Sequence, residues 1–152
     1  ELRRHLVPPV RAARGALDQL HRVEPKGEQN RLLKPLVDRP AAVRLLGDAQ
    51  ILCWVLMPDH VHWLLHLGER ETLDAVVARL KAASARSANA ALARTGTLWS
   101  RAYHDHALRK EEDVAVVARY IVGNPVRAGL VARTGMYPFW NAVWLGDDGR
   151  AK

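Results

Sequence analysis

The chain reads as an α+β domain, an antiparallel-rich sheet covered mainly on one face by helices. Three observations lead there. Residues 51–57 and 61–67 are apolar runs of strand length, split by Pro58-Asp59. Proline presets its own φ and aspartate favours turns, so the chain reverses there into a hairpin. Apolar residues recur at helical spacing from Leu73 to Ala83 and again at Val114, Val117 and Ile121. A further strand is expected from Trp99 to Arg109.

Before the hairpin the pattern is weakest. Pro8-Pro9 suits a helix start, with Val10, Ala13, Leu17 and Leu20 as its apolar stripe. Glu24-Pro25-Lys26-Gly27-Glu28 reads as a loop, and a short helix from Pro40 to Leu46 would stop at Gly47-Asp48. Thr72 caps the helix that follows the hairpin, and that helix is expected to reach about Arg94 before Thr95-Gly96-Thr97. Glu111, Glu112 and Asp113 place acids at the positive end of the next helix. That helix leaves Tyr120 on a partly open face, and Pro125 biases Asn124 towards a cap position. Beyond Gly129, the aromatic run Met136 to Trp140 and Trp144 is expected to pack against the domain.

Composition narrows the function. At 152 residues one domain is expected, and no apolar run approaches the roughly 20 residues of a membrane span. The start, Glu1-Leu2-Arg3-Arg4, lacks an apolar stretch with a cleavage site, so no secretory signal is expected. The single cysteine, Cys53, excludes an internal disulfide and a zinc site of paired cysteines. A net charge of +7 and a pI near 10.2 favour polyanionic partners, because each neutralised phosphate releases counterions.

The chemistry concentrates in two stretches. Side chains of a strand alternate faces, so His60 and His62 point one way while Val61, Trp63 and Leu65 point the other. Two imidazoles on one face make most of a divalent-metal site, or simply two polar residues on the wetter face. His66 continues that face but stands too far along to share an ion with His60. A second pair, His104 and His106, is a rival site that spacing alone does not exclude. Tyr120 and Asn124 lie one helical turn apart, a phenol beside an oxygen donor. On a helix such a tyrosine is ordinarily an interface residue.

Met57-Pro58-Asp59-His60-Val61-His62 and the run from Tyr120 to Val131 together resemble the single-tyrosine HUH transposases, specifically the REP-associated tyrosine transposases. The resemblance extends from roughly Ile51 to Trp144. It implies a ferredoxin-like core with an appended nucleophile helix lying against the sheet face of His60 and His62. It implies Mg²⁺ or Mn²⁺ held by His60, His62 and Asn124, with Tyr120 as the catalytic nucleophile. The implied reaction cuts single-stranded DNA near short palindromic hairpins through a 5′-phosphotyrosine intermediate. Neutral imidazole is needed to bind metal, so activity would fall below about pH 6. Lys81, Arg86, Arg101 and Arg127 are candidate phosphate contacts. The family's histidine strand pairs with a central first strand, for which Leu2 to Val7 is the candidate; either it has diverged or it has been lost. One domain over residues 1–152 is therefore expected: a diverged part (1–50), the motif region (51–131) and an aromatic tail (132–152). A cytoplasmic, nucleoid-associated monomer or homodimer is the expected form. Two alternatives stand beside it: a decayed or repurposed hairpin-binding protein, and a metal-dependent phosphoesterase that uses water.

Overall fold

The computed structural model describes residues 3–11, 46–101, 103, 106–108 and 113–144, the backbone alone for 3–11, 91 and 106. Strands β1 (Arg3–Arg11), β2 (Gln50–Leu56), β3 (His60–Leu67), β4 (His106–Ala107) and β5 (Trp140–Ala142) form one sheet in the order β4-β1-β3-β2-β5. Each neighbouring pair is antiparallel. The first four strands give the ferredoxin-like order 4-1-3-2, and β5 extends the β2 edge.

The first strand is present and central. It runs straight through Pro8-Pro9, where a helix was the sequence expectation. Neither proline has an N–H for a ladder, and the structure absorbs them in a bulge. Val7 pairs with Trp63 and Val10 with Val61, so the two prolines together face the single residue His62. The histidine strand thus has partners on both sides. The remainder of the expected first helix, the Glu24–Glu28 loop and residues 40–45 lie outside the described residues, as does His104 of the rival pair. Of the strand expected over 99–109, the described pairing with β1 is His106–Ala107.

The hairpin forms as its alternation dictates. Pro58-Asp59 makes the turn, closed by Met57 N–H donating to the His60 carbonyl at 2.7 Å. A second bulge at Leu52 puts Cys53 opposite Leu64 and Val55 opposite His62. The Cys53 thiol is buried, and burial pushes its pKa up to about 12, an inert group.

The face of β3 opposite the histidines carries Val61, Trp63 and Leu65, each at most 3% exposed. Helix α1 (Leu73–Ala91) covers this side with Val76, Val77 and Leu80. Thr72 caps it by accepting from Ala75 N–H, as the sequence indicates. It stops at Ala91, three residues early, where Ala93 takes a φ of +48° and Asn89 donates to the Gly96 carbonyl at 2.9 Å. Trp63 meets Trp99 edge to face at 6.3 Å, and the Trp99 indole donates to Ser84 of α1 at 2.7 Å.

Helix α2 (Val114–Val122), capped by the Asp113 carboxylate, lies on the other face. Trp140 and Ala142 of β5 stand opposite Val55 and Cys53, on the histidine side, and line a half-open pocket with Ala118 and Val122 of α2. The aromatic tail is therefore an edge strand. Tyr137 and Phe139 are buried beside it, and the Tyr137 hydroxyl donates to the Leu56 carbonyl at 2.6 Å. No helix among the described residues is long and apolar enough to cross a membrane.

Candidate active site at the histidine strand

His60 and His62 come together as the strand period requires. Their Nε2 atoms stand 3.1 Å apart, with the rings edge to face. His60 Nδ1 donates to the Asp59 carboxylate at 2.5 Å, which assigns the proton to Nδ1 and leaves the Nε2 lone pair aimed at His62. Asp59 was not singled out by sequence reasoning beyond its turn propensity. Its position directly before His60, at a turn that folds the carboxylate back, is the signal that marks it.

His62 is deeper. Burial holds its pKa down to about 4, with the His60 imidazole and the Arg127 guanidinium adding to the effect. It is therefore a neutral donor well below the pH 6 limit of an ordinary imidazole. The sign for stability follows. The unfolded chain, with a histidine pKa near 6.5, takes up this proton before the folded protein does. The contribution of neutral His62 is complete above pH 6.5 and is lost as pH falls towards 4, at most about 3 kcal/mol. Urea unfolding of the metal-free protein at pH 7 and pH 4.5 should show this loss, and His62→Gln should flatten it. An equal pH slope in both proteins would refute the assignment.

The second motif is set by a break in the helix. Gly123 ends α2 and caps a one-turn helix α3 (Asn124–Arg127), so Asn124 is its first residue rather than the cap. Pro125 occupies the early position where a missing N–H costs nothing. The turn folds Arg127 back over α2. Its guanidinium lies 3.8 Å from the Tyr120 ring centre and donates to Asn124 Oδ1 at 2.7 Å and to the Tyr120 carbonyl. Gly123 leaves the room for this: a methyl there would stand 2.9 Å from Arg127 Nη1 and 3.0 Å from the Arg119 carbonyl. Tyr120 is 62% exposed, whereas Asn124 Nδ2 is buried with no partner among the described residues.

Of the four cations singled out by sequence, Arg127 alone stands at this site. Lys81 and Arg86 belong to α1 on the far side of the sheet, and Arg101 follows Trp99 there. Lys81 Nζ is held by the Ser100 and Arg101 carbonyls at 2.6 and 3.0 Å. Arg86 and Arg101 are exposed. His66 remains at the strand end, its Nε2 buried without a partner among the described residues.

The two histidines and the asparagine make a mixed nitrogen and oxygen donor set for a divalent ion. Two adjacent ligands, each about 2.1 Å from an octahedral ion, stand close to the separation of the two Nε2 atoms. Imidazole nitrogen suits the first-row transition ions, and amide oxygen suits Mg²⁺ and Mn²⁺.

The sheet thus has the ferredoxin-like order, with paired imidazoles on the face that the tyrosine-bearing helix covers. The model of the family described as "Transposase IS200 like" matches residues 42–124, which include His60, His62, Tyr120 and Asn124, and the chain belongs to that family. A Haemophilus influenzae protein provisionally named a REP-associated tyrosine transposase is 30% identical over 94 residues, 55% of this chain and 53% of that one. The chain thus spans about half the length of the curated relative it matches. The solved structure of a REP-associated tyrosine transposase bound to a REP hairpin superposes with a TM-score of 0.54 at 22% identity, covering 91% of this chain and 74% of that chain. That likeness bears on the fold.

Proposed function

We propose that the protein is a metal-dependent single-stranded DNA endonuclease and strand transferase that cuts near hairpins through a 5′-phosphotyrosine. The observation that carries this reading is the 3.1 Å convergence of His60 and His62 Nε2 on the sheet face that α2 covers, with the Arg127 guanidinium near enough to His62 to help lower its pKa. Hairpin DNA as the partner draws support from the REP-hairpin complex of the structural neighbour.

His60, His62 and Asn124 would hold Mg²⁺ or Mn²⁺, which polarises a phosphate oxygen and stabilises developing charge. The Tyr120 phenol oxygen replaces the 3′-oxygen on phosphorus. That oxygen leaves as a 3′-hydroxyl, with the proton the phenol gives up. The aryl phosphodiester keeps the bond energy, so a later 3′-hydroxyl rejoins strands without nucleotide hydrolysis. Arg127 supplies positive charge beside the nucleophile, suited to a phosphate oxygen. Asp59 orients His60, and Asp59→Ala should weaken Mn²⁺ binding about 10- to 100-fold by calorimetry. Unchanged affinity would remove it from the site.

The test mixes labelled hairpin DNA bearing a single-stranded flank with the protein and Mn²⁺, followed by a denaturing gel. The expected result is a protein–DNA adduct that chelator and His62→Ala both abolish. Hairpin binding with no adduct under any condition would instead identify a repurposed binding protein.

A further inference from the structure

Arg127 reaches Tyr120 because the helix between them is broken. In an unbroken helix residue 127 would stand two turns, about 10.5 Å, along the axis from residue 120. The stop at Gly123 and the single turn of α3 fold it back instead. Its guanidinium donates to two acceptors that flank the break, the Tyr120 carbonyl and Asn124 Oδ1, the second at 2.7 Å. Pinned at two points, the planar group lies over the Tyr120 ring, 3.8 Å from its centre. Its charge also reaches His62, which places this clasp on the histidine side of α2. Tyr120 is otherwise 62% exposed, and a long side chain on a helix has two χ1 rotamers open to it, near 180° and −60°. A ring seated beneath the guanidinium takes one of them.

We propose that Arg127 is the positioning residue of the nucleophile: it clasps the Tyr120 ring in one rotamer, so that the phenol oxygen is already presented when DNA arrives. This rests on the tyrosine reading above. An attacking oxygen must meet phosphorus closely aligned, and a misplacement of about 1 Å can cost about 100-fold in rate. A contact to phosphate alone acts through charge and shows in DNA affinity. A clasp acts through shape and shows in the limiting rate. Two substitutions keep the charge and lose the clasp. In Gly123→Ala the added methyl would stand 2.9 Å from Arg127 Nη1, so the guanidinium must leave its seat. In Arg127→Lys the planar fork that spans the two acceptors and covers the ring is gone.

The experiment has two arms, both on the full chain, for wild type, Gly123→Ala and Arg127→Lys. Circular dichroism confirms that each is folded. In the first arm, without DNA or metal, NMR reads the upfield ring-current shift of the Arg127 side-chain protons and the χ1 couplings of Tyr120. Wild type should show the shift and the couplings of a single rotamer. Gly123→Ala should lose the shift, and both variants should give averaged couplings. In the second arm, adduct formation with labelled hairpin DNA and Mn²⁺ is timed across a range of DNA concentrations. Both variants are expected to lose at least about tenfold in limiting rate, with the half-saturating DNA concentration within about twofold of wild type. An unshifted Arg127 or an averaged Tyr120 in wild type overturns the clasp. So does a variant that frees the ring yet cuts at the wild-type rate. A loss confined to DNA affinity overturns it in favour of a phosphate contact. A wild type that holds the ring but forms no adduct overturns the tyrosine reading, and the positioning role with it.

Discussion

Tyr120→Phe is expected to abolish the protein–DNA adduct completely while leaving hairpin binding and stability almost untouched. The substitution removes one oxygen from a side chain that is 62% exposed. The ring that lies under Arg127 remains, so the stacking at 3.8 Å persists. Surface changes of this kind shift stability by no more than about 0.5 kcal/mol. Chemistry has no such tolerance, because no other hydroxyl stands in the Tyr120–Asn124 segment to replace the phenol. A gel lane with Mn²⁺ and labelled hairpin would therefore be blank for the variant at wild-type occupancy. The phosphoesterase reading makes the opposite forecast. If water is the nucleophile, Tyr120→Phe still releases cut DNA with turnover, and that result would end the tyrosine mechanism. Loss of both cutting and thermal stability would instead mean that the phenol holds the fold together, which its exposure argues against.

Trp63→Ala is the second large effect, and it is structural. Trp63 is 1% exposed, sits between two histidine-face residues in sequence, and meets Trp99 at 6.3 Å on the reverse side. Trp99 is tied in turn to Ser84 at 2.7 Å, whose hydroxyl donates to the Leu80 carbonyl at 2.7 Å. Truncation leaves a void that neither neighbour can fill without breaking that chain of bonds. The expected cost is about 3–5 kcal/mol, a large share of a domain's stability. Urea unfolding measures it directly. A cost below about 1 kcal/mol would show that the pleat does not couple the two faces of β3. Mn²⁺ affinity should fall together with stability, since the histidines ride on the same strand.

What could be read from the residues alone divides along physical lines. The hairpin and its histidine pair were legible because alternation is a local property, and a two-residue turn leaves little choice of register. The helix of Leu73 to Ala83 was legible for the same reason. Of the first strand, Leu2 to Val7 stood only as a candidate from the resemblance; its run on to Arg11 was hidden, because Pro8-Pro9 looks like a helix start and charged residues interrupt the apolar pattern. A bulge opposite His62 settles the conflict, and bulges leave no periodic signature. Trp140-Asn141-Ala142 is too short to announce a strand, and its pairing with β2 is wholly non-local. The Tyr120 and Asn124 pairing was visible in spacing. The hold of Arg127 on both depended on the reversal at Gly123, which no side-chain pattern encodes.

The positions of β4 and β5 at opposite edges of the sheet have one more consequence. The segment that carries Tyr120 begins after one edge strand and ends in the other. It must span the whole width of the sheet, like a strap buckled at both rims. A strap cannot be laid until both rims exist, and its far buckle joins Val55 to Trp140 across most of the sequence. Closing so long a loop is among the slower events of folding. The order of closure therefore sets the paired histidines in their hairpin first and brings the tyrosine helix over the sheet last.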